Sequence, residues 1–200
     1  NVTVAKELYD MFTKKGDKVL DFSAGWGDRL IGFLAADAPV EYTGVDPNVL
    51  LKPVHDEILA DLNQSGKTVN MIYEPFETCD LKDATYDFIF TSPPYYDVEK
   101  YHTSKEAESK QSIFDKTLEQ WLEEFMYPSL LKAINRLNIG GHLAININDP
   151  KKDYGEPYVR QIVEYINTHP SLEFLGVLPY SEFSKDTPKN PQPIFIWRRK

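Results

Sequence analysis

The sequence predicts an α/β fold built on a mainly parallel seven-stranded sheet, with an antiparallel C-terminal hairpin and helices on both faces. Three observations support this prediction. Short apolar runs alternate with stretches of helical period, and glycine- or proline-containing turns separate them. Strands that alternate with helices are typical of parallel sheets covered on both faces. The 200 residues are 42% hydrophobic, which suits one domain spanning residues 1–200 with a full core.

The first half of the chain contains four predicted strands. Each is a short apolar run, and they cover residues 18–22, 41–45, 69–73 and 86–91. The first strand is followed by a glycine turn and an apolar helix. The second is followed by Asp46-Pro47 and a helix over residues 51–63, which closes near Gly66. This order predicts two successive strand-helix units.

A long amphipathic helix begins the second half. Its apolar residues fall on one helical face, at Leu118, Trp121, Leu122, Phe125 and Met126. Core packing is the ordinary explanation for this spacing. Pro128 should kink or divide the helix, because proline donates no backbone hydrogen bond. The helix then resumes through Leu137, and residues 138–141 end it.

Three further strands complete the predicted sheet. Residues 142–147 form the fifth strand, and an amphipathic helix follows over residues 158–166. Strands near residues 173–180 and 194–198 pair as a hairpin across the proline-rich loop at residues 185–193. This hairpin makes one edge of the sheet antiparallel.

The composition limits the class of protein. The formal charge is −9, from 31 acidic and 22 basic residues, so the chain lacks the strongly basic face typical of a protein that grips polynucleotide alone. The single Cys79 and four scattered histidines give no disulfide framework or metal spacing, and we expect no metal site.

No apolar run or leader indicates a membrane, which predicts an intracellular protein, cytoplasmic or in the nucleoid or nucleus. The chain starts at Asn1, which is compatible with N-terminal truncation.

The turn after the first strand is a candidate ligand loop. It has the sequence DFSAGWGDR, and the residues considered for binding are Asp21, Ser23, Ala24, Gly25, Gly27 and Asp28. Glycines let the backbone approach a ligand closely, and the following helix offers free N–H groups. The alternative interpretation is an ordinary tight strand-to-helix turn.

Two more strand ends carry candidate binding residues. Asp46 follows the glycine turn by about twenty residues, a spacing at which a carboxylate can accept both hydroxyls of a ribose. A helix-capping role before Pro47 is the competing explanation. After the third strand, Phe76 could cover a purine and Glu77 could reach its amino group, although Phe76 as plain core explains the pattern equally well.

The stretch TSPPYYD follows the fourth strand and is the most unusual part of the sequence. Pro93 and Pro94 cannot continue a sheet, so they must form a rigid exit with carbonyls aimed in set directions. Residues 95–115 are then polar and irregular. A long loop beside such a motif is a candidate mobile substrate lid. Its residues Tyr96, Asp97 and His102 could line the substrate pocket, although exposed loop residues without a role explain each of them as well.

The combination of VLDFSAGWGDR, GVD and TSPPY resembles the S-adenosylmethionine-dependent methyltransferases that act on exocyclic amino nitrogens, the group containing adenine-N6 and cytosine-N4 DNA methyltransferases. The resemblance covers nearly the whole chain and implies a Rossmann-like class I methyltransferase fold. It implies that Gly25 and Gly27 pack against the methionyl part of the cofactor, with Asp21 or Asp28 near its amino group. Asp46 would hold the ribose. Trp26 and Arg29 depart from the usual small residues of this turn.

The same resemblance implies roles for the remaining candidates. Phe76 and Glu77 would flank the adenine of the cofactor. The catalytic group would be Ser92, Pro93, Pro94 and Tyr95. The Ser92 hydroxyl and the Pro93 carbonyl would accept hydrogen bonds from the two N–H groups of the target amine. Tyr95 would stack on an extruded base. No metal and no covalent intermediate is needed for this chemistry.

Several alternatives stay open. The nucleic acid is DNA in the leading interpretation, with RNA second. The acidic charge argues against sequence-specific DNA methylation by this chain alone. A missing segment, a separate target-recognition domain or subunit, the loop at residues 95–115, and an RNA or single-stranded substrate are the alternatives. Enzymes that methylate protein glutamine or RNA guanine amines also use Pro-Pro-Tyr loops, usually with Asn at the position of Ser92. A catalytically silent methyltransferase-like subunit is the third alternative. Asn146 and Asn148 could face the pocket, but a turn with Asp149-Pro150 also explains them.

Overall fold

The structure is a computed structural model that describes residues 1–63, 66–96, 116–149, 157–180, 183–184, 187–188 and 192–200. The strands are β1 (Lys18–Asp21), β2 (Glu41–Val45), β3 (Thr68–Ile72), β4 (Tyr86–Thr91), β5 (Leu137–Asn146), β6 (Leu172–Tyr180), β7 (Phe183–Ser184), β8 (Thr187–Pro188) and β9 (Gln192–Arg199). The helices are α1 (Val2–Phe12), α2 (Asp28–Ala35), α3 (Lys52–Leu62), α4 (Leu118–Trp121), α5 (Tyr127–Arg136) and α6 (Val159–Asn167).

Seven of the strands form one sheet in the order β3-β2-β1-β4-β5-β9-β6. Strands β3, β2, β1, β4 and β5 are parallel to one another, and β9 runs antiparallel to both β5 and β6. The predicted fold class and the C-terminal hairpin are therefore confirmed. The short strands β7 and β8 pair separately as an antiparallel ribbon.

Two apolar cores lie against the sheet. One core contains residues of α4, α5 and α6, including Trp121, and the other contains residues of α1 and α2, including Tyr9 and Phe33. Alternating strand residues supply both cores, so Ile89 of β4 packs in the first and Phe88 in the second. Within the described part of the chain, none of the helices combines the length and apolar character that crossing a bilayer requires.

Pro128 does interrupt the helical hydrogen bonding, as predicted. Residues Leu122–Met126 form a π-helical turn between α4 and α5, and Pro128 lies in the first turn of α5. The Tyr127 amide donates to the Leu122 carbonyl, five residues earlier. One extra residue in the turn lets the helix continue past a proline without losing its buried face.

Strand β5 begins earlier than the sequence predicted. The prediction placed residues 138–141 at a helix end, but the structure ends α5 at Arg136 and begins β5 at Leu137. The register with β4 shifts between Tyr86 and Phe88, and Gly140 has φ 81°. Glycine therefore accommodates an irregular strand start here, and the helix ends without a glycine cap.

Helix α1 was missed by the sequence prediction. It packs on α2 so closely that a Cβ on Gly32 would lie 2.6 Å from the Ala5 Cβ. Ala5, Leu8 and Tyr9 are its buried residues, at the i, i+3, i+4 spacing of a helical face. This spacing was the available signal.

Candidate functional site

The predicted site residues follow the carboxyl ends of neighbouring strands, which lie together at one end of the sheet. Strands β2, β1, β4 and β5 are consecutive neighbours and parallel, so their carboxyl ends lie together. The chain proceeds from β1 outward to β2 and β3, and then returns to β4 on the other side of β1. This reversal is a topological switch point, where open α/β sheets bind ligands.

The two glycines of the first turn have left-handed backbones for different reasons. Gly27 has φ 94° at the start of α2, and a Cβ there would lie 2.7 Å from the Ile58 Cδ1. Gly25 has φ 54°, and the nearest atom to a Cβ at this position would be the Ser23 carbonyl oxygen at 3.9 Å. Gly27 is therefore favoured by its left-handed backbone, and a Cβ there would also displace the tip of the Ile58 side chain, whereas Gly25 leaves open space into which a ligand can approach.

Asp21 lies beneath this turn and holds it. Its side chain is fully buried and accepts hydrogen bonds from the Arg29 Nε at 2.7 Å and the Tyr42 hydroxyl at 2.8 Å. The Ser23 amide also donates to it, at 3.2 Å. Burial alone lowers the pKa of Arg29, but the adjacent charge of Asp21, the hydrogen bond to it and the nearby Tyr42 and Tyr9 together outweigh this effect and raise the pKa. The guanidinium also donates to the Ser23 carbonyl. Arg29 thus ties the loop backbone to β1.

These contacts separate the two carboxylates considered for the amino group of a cofactor. Asp21 is fully buried and already pairs with Arg29, so it supports the loop from below and a ligand cannot reach it. Asp28, at the start of α2, is exposed. Asp28 is also paired, with the Asn1 ammonium at 2.7 Å, but its side chain is 56% exposed, so of the two carboxylates it is the one that a ligand can reach. Ser23 is half-buried and Ala24 is buried in the same turn.

Asp46 connects the end of β2 to the glycine turn. The Gly25 amide donates to Asp46 Oδ2 at 2.9 Å, and the Asn48 amide donates to Oδ1 at 2.9 Å. Burial is the main cause that raises the pKa of Asp46, and these two amides oppose it. Each oxygen accepts one of these bonds and has capacity for another. The turn after β2 is capped by the Asn48 side chain, and the proline in the first turn of α3 is Pro53, so the helix-capping explanation for Asp46-Pro47 does not hold.

His55 is a residue of this turn that sequence reasoning missed. It lies on α3, is fully buried, and places Nε2 2.8 Å from the Gly25 carbonyl oxygen and Nδ1 3.0 Å from the Tyr73 hydroxyl. Its thirty-residue separation from Gly25 leaves no signature in the sequence. Only the packing of α3 under the turn brings the two together.

Phe76 and Glu77 differ in what they offer. The Phe76 ring is 2% exposed and stacks on Phe22 with centroids 4.7 Å apart, and the Lys132 ammonium lies 4.8 Å from its centroid. The structure therefore supports the core interpretation of Phe76 over an adenine-covering role. One carboxylate oxygen of Glu77 is buried and has no hydrogen-bond donor among the residues that the structure describes. Such an oxygen can accept from a ligand amine.

The end of β4 presents the Ser92-Pro93-Pro94-Tyr95 segment beside β5. Ser92 is half-buried, and its Oγ lies 3.5 Å from Asn146 Oδ1. The Asn146 amide nitrogen donates to the Pro193 carbonyl on β9 at 3.1 Å. Because this bond sets the orientation of the amide, its oxygen faces Ser92. Pro93 is buried and Pro94 half-buried, which fixes the backbone of the segment.

Tyr95 is anchored at its hydroxyl. It is half-buried, and the hydroxyl donates to Gln192 Oε1 of β9 at 3.4 Å. Tyr96 packs beside it, with its ring centroid 6.0 Å from that of Trp121. The indole of Trp121 is in turn 5.1 Å from the ring of Tyr158. Aromatic rings therefore follow the prolines. Of the predicted lid at 95–115, residues 97–115, with Asp97 and His102, lie outside the described residues.

The structure separates the roles of Asn146 and the following turn. Asp149 Oδ1 accepts from the Tyr158 amide at 2.6 Å and the Val159 amide at 2.9 Å, so Asp149 satisfies the start of α6. Asn146 instead contacts Ser92 at the strand end. Turn formation therefore does not explain Asn146, which lies at the end of β5 and contacts Ser92. Asn148 is half-buried, and its carbonyl accepts from the Tyr158 hydroxyl.

Comparison with solved structures identifies the same fold in methyltransferases. A Clostridium thermocellum protein assigned as an rRNA methylase is 16% identical, with a TM-score of 0.65 over 100% of this chain and 97% of that chain. An rRNA methylase from Streptococcus thermophilus is 14% identical, with a TM-score of 0.65 and coverage of 99% and 96%. A Streptococcus mutans protein assigned as a methyltransferase, solved with SAH, is 15% identical, with a TM-score of 0.62 and coverage of 98% and 97%.

No protein-family model matches the sequence, and no curated protein matches it. At these sequence identities the structural similarity establishes the architecture only. The reaction has to be inferred from the residues of the site. The chain has the Rossmann-like fold of class I methyltransferases, and its candidate site residues lie at the topological switch point of that fold.

Proposed function

We propose that the chain transfers a methyl group from S-adenosylmethionine to an exocyclic amino nitrogen of a nucleobase, adenine N6 or cytosine N4, in DNA. The observation that carries the proposal is the position of Ser92-Pro93-Pro94-Tyr95. This segment ends β4, directly beside β1, whose own end is the open turn at Gly25. An acceptor segment and a ligand loop therefore flank the switch point.

The residues on the β1, β2 and β3 side suit S-adenosylmethionine. Open space beside Gly25 can receive the methionyl part, and the accessible Asp28 can meet its amino group. Asp46 keeps acceptor capacity for the ribose hydroxyls, and the buried Glu77 oxygen can accept from the adenine amine. When bound, this cofactor supplies a methyl group made electrophilic by a positively charged sulfur. The methyltransferases of the same fold, one of them solved with SAH, support this choice.

The residues on the β4 and β5 side act on the amine. Its lone pair is delocalised into the base, so its nucleophilicity must be raised. The Ser92 hydroxyl and the Pro93 carbonyl accept hydrogen bonds from the two N–H groups of the amine. These bonds draw the nitrogen toward tetrahedral geometry, with its lone pair directed across the switch point. Tyr95, anchored by Gln192, stacks on the base. Rigid prolines hold these groups in place, and orientation is a large part of such catalysis.

RNA is the second acceptor to test, because rRNA methylases occur among the structures of the same fold. The charge of −9 disfavours tight binding of either polynucleotide by this chain alone. We therefore propose that a separate target-recognition domain or subunit delivers the substrate inside the cell. A protein-glutamine acceptor or a catalytically silent subunit are the remaining outcomes.

The test measures cofactor binding and methyl transfer separately. Calorimetry establishes whether the wild-type protein binds S-adenosylmethionine. Tritiated cofactor is then incubated with single-stranded DNA, duplex DNA, RNA and protein pools. We expect label in DNA, and we expect Ser92→Ala to lose transfer while it keeps cofactor binding. Ser171 directly precedes β6, so it lies at the end of the sheet opposite to the carboxyl ends of β1 and β4. Ser171→Ala is therefore the matched control.

Each outcome selects one interpretation. Label in RNA or protein would move the acceptor to that class. Cofactor binding without label in any pool would favour the silent subunit. An absence of cofactor binding would overturn the proposal as a whole.

A further inference from the structure

We infer that His55 is a positioning residue for the cofactor, which acts by fixing the backbone of Gly25 through a hydrogen-bonded chain that runs from the Tyr73 hydroxyl through the imidazole to the Gly25 carbonyl. This inference rests on the proposed cofactor, and it adds two residues that lie on α3 and directly after β3. Neither residue touches the open side of the turn.

Both polar groups of Gly25 are held by side chains from other elements. Its N–H donates to Asp46 Oδ2 at 2.9 Å, and its carbonyl oxygen lies 2.8 Å from His55 Nε2. The first bond limits rotation about φ and the second limits rotation about ψ. Glycine is the residue with the most backbone freedom to lose, so these two anchors determine the conformation of the turn.

The chemistry of the partners assigns the proton positions. A carbonyl oxygen only accepts, so His55 Nε2 must carry the proton that bonds to Gly25. In the neutral ring Nδ1 is then an acceptor, and the Tyr73 hydroxyl at 3.0 Å donates to it. Burial raises the pKa of Tyr73 to about 12, which keeps that hydroxyl protonated. The Gly25 carbonyl therefore selects the tautomer of His55, and the Tyr73 hydroxyl satisfies the other ring nitrogen.

Packing keeps the ring in this orientation. His55 is fully buried and stacks on Tyr73 with an interplanar angle of 25°. A Cβ on Gly27 would lie 3.4 Å from its Cδ2, so the ring fills the space under the second glycine as well. The imidazole thus supports both glycines of the turn from the side opposite the ligand space. Removing it would free Gly25 while leaving Asp46 in place.

The experiment compares cofactor affinity across four single variants and one double variant of the chain. His55→Leu removes the whole chain of bonds, and Tyr73→Phe removes only the hydroxyl that donates to Nδ1. His55→Gln is the conservative rescue, because its side-chain amide can donate to the Gly25 carbonyl. His142→Leu is the matched control, since His142 is a half-buried histidine of β5 whose ring lies 5.0 Å from that of Phe12, which packs against the other core. Calorimetry with S-adenosylmethionine needs no acceptor, and thermal melting checks that each variant is folded.

We expect His55→Leu to weaken cofactor binding by about tenfold, since a buried carbonyl loses its donor. Tyr73→Phe should weaken it less, His55→Gln should recover most of the affinity, and His142→Leu should leave it unchanged. In a His55→Leu background, Tyr73→Phe should have no further effect, because the two residues act through one chain. Wild-type affinity in a folded His55→Leu variant, or equal losses in His55→Leu and His142→Leu, would overturn the inference. If the wild-type protein itself fails to bind the cofactor, the proposed function fails first.

Discussion

Ser92 and Asn146 join the ends of two neighbouring strands: the serine hydroxyl lies 3.5 Å from the asparagine side-chain oxygen. Because the Asn146 amide nitrogen is committed to the Pro193 carbonyl, the oxygen is the atom that faces Ser92. The serine can therefore donate its proton to Asn146 and keep its lone pairs for another donor. The proposed amine-binding function of Ser92 depends on this arrangement.

Replacing Asn146 should impair transfer and spare the cofactor. In Asn146→Ala, the Ser92 hydroxyl loses the acceptor that directs its proton, so we expect kcat to fall by about tenfold, as for the loss of one oriented hydrogen bond. Affinity for S-adenosylmethionine should not change. Steady-state kinetics with calorimetry measures both. Asn70→Ala, on the exposed face of β3, is the control and should match wild type. A variant with wild-type kcat would remove Asn146 from the site.

Asp21 should be important for stability. In Asp21→Ala the buried Arg29 charge loses its partner, and breaking a buried pair in this way costs about 3–5 kcal/mol of unfolding free energy. Denaturant unfolding measures the loss. Asp56→Ala is the matched control, because it breaks an ion pair in which the Lys52 side chain is 57% exposed and the Asp56 side chain is 59% exposed. The loss of this surface pair should cost less than about 1 kcal/mol of unfolding free energy. Equal losses in the two variants would contradict the supporting role of Asp21.

The two glycines of the turn should respond differently to alanine. Gly27→Ala places a Cβ 2.7 Å from Ile58 at φ 94°, so we expect a loss of about 1–3 kcal/mol in stability. In Gly25→Ala the nearest atom to the new Cβ is 3.9 Å away, and the left-handed backbone should cost about 1 kcal/mol. This Cβ would instead occupy the ligand space, so cofactor binding should weaken more than stability does. Thermal melting and calorimetry separate the two effects. Unaltered binding in Gly25→Ala would show that the ligand lies elsewhere.

Cofactor affinity should depend on the ionisation of Asp46. Burial raises the pKa of this carboxyl, and the ionised form is the better acceptor for ribose hydroxyls. Affinity should therefore be full above the raised pKa and decline as the pH falls through it, at a pH above the ordinary carboxyl pKa of about 4. Calorimetry across this range, with circular dichroism as a check on folding, makes the measurement. Asp46→Asn should bind weakly with a flat profile; a profile like that of wild type would assign the titration to another group.

The sheet could be predicted from the sequence because its strands are short apolar runs with clear ends. The strand ends at Asp46 and Ser92 were predicted for the same reason. Features that depend on contacts between distant segments could not be predicted. His55 reaches Gly25 only through the packing of α3, and Asn146 is oriented by Pro193, which lies on β9.

Local patterns also misled where two structures share one signature. A phenylalanine after a strand suits either a purine or a core, and only the stack on Phe22 decides for the core. The glycines near residue 140 suit either a helix end or an irregular strand, and pairing with β4 decides for the strand. Helix α1 had the correct spacing at Ala5, Leu8 and Tyr9 but precedes the first recognisable strand-turn motif.

The most direct test of the central claim identifies the methylated atom. DNA treated with the protein and S-adenosylmethionine is digested to nucleosides and analysed by mass spectrometry against authentic standards. The proposed function predicts N6-methyldeoxyadenosine or N4-methyldeoxycytidine, formed by the wild-type protein and absent with Ser92→Ala. A methyl group on a carbon or oxygen atom, or undiminished amine methylation by Ser92→Ala, would contradict it.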